Sequence, residues 1–528
     1  RPESIYNQLL KMVLHLQWLE KKHFIQLSDQ RQQLEEEKHT QSICEQEDYL
    51  DHLICKMVNV LQSGATSGLE CQVYLPYLDS RDGVRSGQKA KVLQLSDFEP
   101  AFFSHNLSNH GADICFVTLK VLDYNAYQGD KFHEDKNTLG FINLGTSEKL
   151  CIDLMIERLC QSDMNHIEDA LQQNPDWKGQ SEEVAQFLTY YCRAPARLDP
   201  ENVVVLNGCC FVFSVLAMVL CDPREGFLVP SPFYGGFAFS SGLYAKVELI
   251  PVHLESEITE ANTCPFQLTM DKLEQTLLEA KSKGERIRGL MLTNPQNPLG
   301  DIYSQDSLIE YEFAKKYNLH AIIDEIYLLS VFDESITFHS VLSRASLPDP
   351  LRTQAIRGTG KDFLSGFHFD ALYTHNREVA SAVGSFGYLH SISGINQHKL
   401  SQLLHDREWI NKVYLLTNHS WLWNAHRYIT NKLKELKILF LYCGADLCIW
   451  INLKKDLDPC TFEERLLHHC FLDNKLILSC GKTYICEETG CFCLIFAEIK
   501  LAMLQFCQVL QDQKQSWIEK QLENTIKE

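Results

Sequence analysis

The sequence predicts an α/β fold, a mostly parallel sheet with helices on both faces, and three observations carry that prediction. Between about residues 191 and 385, short apolar runs alternate with helical stretches: E-N-V-V-V-L (201–206), G-F-L-V-P (226–230), K-V-E-L-I-P (246–251), R-I-R-G-L-M-L-T (286–293) and L-H-A-I-I-D (319–324). Polar residues suited to chemistry, Asn297, Asp324 and Lys361, fall at or just after the ends of such runs, where open α/β sheets bind ligands. The chain is also large enough for a sizeable core, with 528 residues, 45% hydrophobic and 22% charged.

The elements follow in order. Residues 1–62 read as a helical N-terminal extension: Ile5, Leu9, Met12, Leu16 and Leu19 form an apolar stripe, repeated by Leu50, Ile54, Met57 and Leu61. The heptad breaks at His23 and Gln26, so a partner-binding arm and a helical hairpin both remain open. The run Glu35-Glu36-Glu37 is a solvated face. Residues 63–118, with Gly64, Gly68, Gly83 and Gly87 among polar residues, read as a linker-like region. Residues 119–190 lead into the alternating region of 191–385. The remainder, 386–528, reads as a long connecting helix followed by a small C-terminal domain containing the strand G-A-D-L-C-I-W-I-N-L (444–453).

Charge and cysteine usage exclude several classes. Forty-nine basic against 69 acidic residues give a net charge of −20, which argues against nucleic acid or an anionic membrane as partner. No run of 18 apolar residues and no signal-peptide pattern is visible, so the expectation is a cytoplasmic protein. The 20 cysteines follow no regular framework and are expected as buried thiols. His468-His469-Cys470, with Cys480, Cys486, Cys491 and Cys493 downstream, has no paired metal-ligand spacing, so no metal site is expected.

A set of residues in the alternating region spells one chemistry. Lys361, in G-T-G-K-D-F, offers an amine that can condense with an aldehyde cofactor as a Schiff base. Asp324, ending an apolar strand, offers the buried carboxylate that keeps a pyridine nitrogen protonated. Asn297, in N-P-Q-N-P-L-G, and Tyr327, in D-E-I-Y, are donors for a phenolic oxygen, and Tyr234, in S-P-F-Y-G-G, offers a ring face. Gly208-Cys209-Cys210 follow a strand and open a helix, the setting that cradles a phosphate. Each signal is weak alone, since Asp-Glu after a strand or Tyr beside Gly-Gly has ordinary structural readings. Their order points to pyridoxal 5'-phosphate.

That order resembles the class I aminotransferases among the fold-type I pyridoxal phosphate enzymes, and within them the 1-aminocyclopropane-1-carboxylate synthase-like branch. The match runs from about Asp123 to Phe506, with markers D-Y-N-A-Y (123–127), N-L-G-T-S-E (143–148), P-D-W-K-G (175–179), N-P-Q-N-P-L-G (294–300) and D-E-I-Y-L-L-S-V-F (324–332). The resemblance implies a large cofactor-binding domain with a seven-stranded sheet, a smaller α+β domain whose N-terminal part comes from residues 119–190, a homodimer, and Thr359 as the hydroxyl remaining beside the phosphate. It also exposes departures. The family's phosphate-gripping arginine is replaced by His368, one residue is lost between it and Lys361, and Asp370 stands where a glycine is expected. An imidazole cannot replace a permanent fork of donors, and a carboxylate near a dianion repels it. On the substrate side Glu148 is kept within its motif. Cys493 stands where an arginine clamps the substrate carboxylate, and Trp177 where a tyrosine reaches across the dimer interface. Losing one side of a desolvated charge pair costs roughly 3–5 kcal/mol, about two to four orders of magnitude in binding or rate.

Two classes of function follow from the resemblance. One is a protein that keeps the fold and the cofactor, held more weakly, with catalysis absent or severely reduced and a small amino-acid substrate doubtful. The other is an active enzyme in which Lys361 exchanges with an amino acid and then moves its α-proton, giving transamination or carbon-sulfur elimination.

Overall fold

The computed structural model describes residues 122–527, except 134, 146–151, 166, 168–180, 257–264, 304–308, 348, 359–360, 362, 364–367, 458–462 and 497–499. The helical extension, the linker-like region, Glu148, Trp177 and Thr359 therefore lie outside the described residues.

The strands in chain order are β1 (Ile142–Asn143), β2 (Val203–Asn207), β3 (Glu225–Ser231), β4 (Glu248–His253), β5 (Arg286–Thr293), β6 (His320–Asp324), β7 (Thr353–Gly358), β8 (Phe369–Thr374), β9 (Leu439–Phe440), β10 (Cys448–Asn452), β11 (Leu476–Ile477), β12 (Ser479–Cys480) and β13 (Cys491–Ile495). Seven form the main sheet in the order β2-β8-β7-β6-β5-β3-β4. Only β8 runs against its neighbours, antiparallel to both β2 and β7, so the sheet is mostly parallel.

Alternation along each strand explains the two covered faces. Val203, Val205, Leu290, Leu292, Ala321 and Ile323 enter one core with residues of α1 (Ser181–Tyr191) and α4 (Met270–Ser282). Val204, Leu206, Met291, Ile322 and Leu372 enter the other, against α2 (Cys209–Leu220), α3 (Gly236–Ala245) and α5 (Arg377–Ser385). A strand buried on both faces has to be apolar throughout, which is why these segments read as continuous runs in the sequence.

Strand starts differ from the sequence reading where the preceding turn claims residues. Asp199 caps a single 3-10 turn over Pro200–Asn202, accepting the Glu201 N–H at 3.0 Å, so β2 begins only at Val203. Lys246 takes a left-handed conformation (φ 51°) to close α3, which delays β4 to Glu248. In the 444–453 run, Asp446 is left-handed (φ 69°) and only Cys448–Asn452 is strand.

A second sheet, β12-β13-β10-β9, is antiparallel, and it packs with α6 (Leu415–Glu435) and α7 (Lys500–Lys527) in a core of Trp450, Phe471, Phe492 and Phe506. Here one cysteine expectation is corrected. Cys448 and Cys493 are joined as a disulfide, not held as free thiols. They lie near each other on the paired strands β10 and β13 with Cα atoms 5.9 Å apart, within disulfide span, a proximity set by register and invisible in sequence spacing. Among the described residues no helix is long and apolar enough to cross a membrane, and no His, Cys, Asp or Glu cluster has metal-holding geometry.

Candidate functional site

The site is built at the C-terminal ends of β5, β6 and β7. Asp324 closes β6 and is 3% exposed, with its Oδ1 accepting the Ile326 N–H at 3.1 Å. Its carboxyl pKa is pushed up to about 7, chiefly by burial; the Ile326 N–H and Arg357 oppose the shift and Asp370 adds to it. The N-P-Q-N-P-L-G loop is tied to this strand by the Asn294 N–H, which donates to the Asp324 carbonyl at 2.8 Å. Gln296 holds the loop's shape: Oε1 accepts the Leu299 N–H at 2.8 Å and Nε2 donates to the Pro232 carbonyl at 2.6 Å. Gly300 closes it at φ 66°, where a Cβ would run into Cys443.

This scaffold delivers Asn297 to Tyr327. The Asn297 Nδ2 donates to the Tyr327 hydroxyl at 2.6 Å, while its buried Oδ1 has no hydrogen-bond partner. A buried amide with one end unsatisfied is what a polar ligand would complete. Tyr234 stands in T-shaped contact with Phe237, and its hydroxyl hydrogen-bonds with the Cys210 thiol. Lys361 has its pKa lowered by burial, opposed most strongly by Asp446 and also by Asp370. A desolvated lysine is more often the neutral amine that attacks an aldehyde.

Two groups here escaped the sequence reading. Asp446 is fully buried; its Oδ1 accepts the Leu447 N–H at 2.6 Å, and burial pushes its carboxyl up to about 7 against the pull of Lys361. A lone aspartate inside an apolar run was the available signal. Beneath Asp324, Glu325 forms a buried ion pair with Arg357, and Ser340 bonds to both. Glu325 Oε1 also accepts the Val341 N–H at 2.7 Å, so this cluster pins the ends of β6 and β7.

The other end of the site is different in kind. Gly208 caps α2 at φ 95°, and the first N–H of that helix, on Cys209, donates to Asp370 Oδ2 at 2.6 Å. Asp370 is 4% exposed and turned inward, and a Cβ on Gly358 would lie 2.9 Å from its Oδ1. His368 is left-handed (φ 49°) and exposed, with Nδ1 3.2 Å from where a Gly208 Cβ would sit. The Cys209 thiol pKa is raised, by burial first and by Asp370 second. Of the residues expected to cradle a phosphate, Gly208, Cys209 and His368 are therefore gathered beside a carboxylate. Cys493 sits apart, buried in β13 with its sulfur bonded to Cys448.

A fold-type I sheet with a lysine, an aspartate and an asparagine–tyrosine pair at its strand ends defines a class, and sequence comparison agrees. Residues 153–517 match the model described as aminotransferase class I and II, and the chain belongs to that family, which implies a pyridoxal phosphate cofactor. Within it the chain is 66% identical to the human "Probable inactive 1-aminocyclopropane-1-carboxylate synthase-like protein 2", over 100% of this chain and 96% of the relative. It is 52% identical to the bovine 1-aminocyclopropane-1-carboxylate synthase-like protein 1, over 74% of this chain and 80% of that one. Among solved structures, aspartate aminotransferase from Thermotoga maritima superposes with a TM-score of 0.59 at 18% identity, covering 78% of this chain and 100% of the other, a likeness of fold.

The donor set fits this cofactor at one end only. Asp324, the half-satisfied Asn297 and the half-buried Lys361 suit a hydroxypyridine aldehyde. At the helix start a carboxylate already accepts the Cys209 N–H, and a phosphate dianion does not fit beside it.

Proposed function

We propose that this chain is an aminotransferase-family pseudoenzyme: it keeps a ring site around Lys361, binds pyridoxal phosphate weakly, and does not turn over amino acids at an enzyme's rate. The observation that carries this reading is the Asp370 carboxylate on the Cys209 N–H, in the place of the anion grip. In support, Cys493 is tied to Cys448 and offers no cation to a substrate carboxylate. The human relative's name, "Probable inactive", agrees.

When bound, the cofactor supplies an electron sink for carbanion chemistry. Lys361 would present the amine to it, Asp324 a carboxyl to the ring nitrogen, Asn297 and Tyr327 hydrogen bonds to the phenolic oxygen, and Tyr234 an aromatic face to the ring. Gly208, Cys209, Cys210 and His368 are assigned to the remains of the phosphate cradle; the family resemblance adds Thr359 to the cradle and gives Glu148 and Trp177 substrate-side roles, all three outside the described residues. We assign these roles within a cofactor domain at about 191–385, in a cytoplasmic homodimer, with residues 1–62 as a candidate partner-binding arm. Deleting 1–62 is expected to change oligomeric size or partner capture and leave aldehyde binding untouched; no change in either size or capture removes the arm from the account.

The test is to incubate the purified chain with pyridoxal 5'-phosphate, reduce with borohydride, map the labelled peptide, and follow a panel of amino acids for product. Label on Lys361 without amino-acid-dependent product is expected. Steady turnover of any amino acid would instead establish the active transaminase or lyase.

A further inference from the structure

We propose that the site selects an unphosphorylated pyridoxal-type ring, a 3-hydroxypyridine-4-aldehyde carrying a free 5-hydroxymethyl group, because Asp370 stands where the phosphate ester would lie. This rests on the reading of Lys361 as the aldehyde-bearing residue and deepens it. Three observations meet here. The Cys209 N–H, the first donor of a twelve-residue helix, is already consumed by Asp370 Oδ2 at 2.6 Å. The carboxylate is buried and closely held, since a Cβ on Gly358 would meet its Oδ1 at 2.9 Å and one on Gly208 its Oδ2 at 3.8 Å. The imidazole of His368 is exposed, with Nδ1 3.2 Å from where a Gly208 Cβ would sit, and it offers no permanent fork of donors in place of an arginine.

The two candidate ligands differ only at this end. A phosphate dianion would bring two negative charges against Asp370 in a desolvated pocket and would have to displace it from the helix. A hydroxymethyl group carries an O–H and can donate it to the same carboxylate, leaving the Cys209 bond in place. At the ring end both aldehydes would meet the same groups, Asp324, Asn297 and Lys361. There the Lys361 amine adds to the aldehyde carbon, water leaves, and borohydride hydride converts the C=N bond to a stable secondary amine.

The experiment titrates the full chain separately with pyridoxal and with pyridoxal 5'-phosphate, reduces with borohydride, and measures label on the Lys361 peptide by mass spectrometry. The readout is the ratio of the two half-saturating concentrations in the wild type and in Asp370→Asn, which keeps the size and an acceptor for the Cys209 N–H. Wild type is expected to saturate at no higher a concentration of pyridoxal than of the phosphate. Asp370→Asn is expected to move the ratio at least about tenfold toward the phosphate, the effect of about 1.4 kcal/mol, and Asp370→Gly to move it further. A wild type that prefers the phosphate, or a ratio that Asp370→Asn leaves unchanged, overturns the inference while the Lys361 site stands. No label on Lys361 from either aldehyde overturns both.

Discussion

The ring end and the anion end of the site sit on the same sheet, yet they are built on opposite principles. At the ring end, buried polar groups are held with capacity to spare: Asn297 keeps an unpartnered oxygen, and Asp324 carries a carboxyl whose pKa burial has raised. At the anion end the Cys209 N–H is taken from within by Asp370, and away from it, in the second sheet, the Cys493 sulfur is bonded to Cys448. The difference teaches that a fold can keep its chemical core while closing the contacts that hold substrate and cofactor charge. Strand ends fix where polar groups point, but a substitution at one β8 position decides whether a helix start is open.

The sharpest break of the comparison is Lys361→Ala, which is expected to reduce borohydride-trapped label to background with either aldehyde; label persisting at another lysine would dissolve the ring end as defined here. Next is Glu325→Ala, which leaves Arg357 buried without its partner. It should cost about 3–5 kcal/mol in urea unfolding, with Glu325→Gln costing less. Equal costs would show that charge is not what pins β6 to β7.

Cys448→Ser opens a 45-residue loop and is expected to lower stability by about 2–4 kcal/mol under oxidising conditions, while the wild type under reductant shows the same loss. An unchanged unfolding midpoint would remove the disulfide from the account.

The pH dependence follows from Asp324 and Asp446, both pushed up to about 7. Between the ordinary carboxyl range near pH 4 and pH 7 the native state binds more protons than the unfolded chain, so stability falls as pH rises through that window. The slope is at most about 1.4 kcal/mol per pH unit per group, and Asp324→Asn should flatten it; a steeper curve would reverse the sign argued for its burial. The smallest effect is expected from Gly208→Ala. A left-handed alanine close to His368 should cost about 1–2 kcal/mol, read as a lowered melting temperature.

Much of this was legible in the sequence because it depends on local pattern. Continuous apolar runs gave β5 with its observed limits and β2, β3, β4 and β6 within about two residues, and the chemistry-bearing residues Asn297, Asp324 and Lys361 stand out at their ends. What stayed hidden depends on contacts between distant segments. Asp370 could be seen as an unexpected carboxylate, but only the pairing of β8 with β2 places it on the Cys209 N–H. The Cys448–Cys493 bond follows from the register of β10 and β13, and Asp446 approaches Lys361 only through the loop that closes on Ser330. Gln296 and Glu325 were within quoted motifs and Arg357 directly precedes one, yet their work is to hold loops and strand ends, which no spacing announces.

The most direct measurement is an experimental structure of the chain after borohydride reduction with pyridoxal 5'-phosphate. The account predicts a ring attached to Lys361 with its nitrogen toward Asp324, Asp370 still on the Cys209 N–H, and the phosphate displaced from the start of α2. A phosphate seated on Cys209 and Cys210 with Asp370 swung away would contradict it.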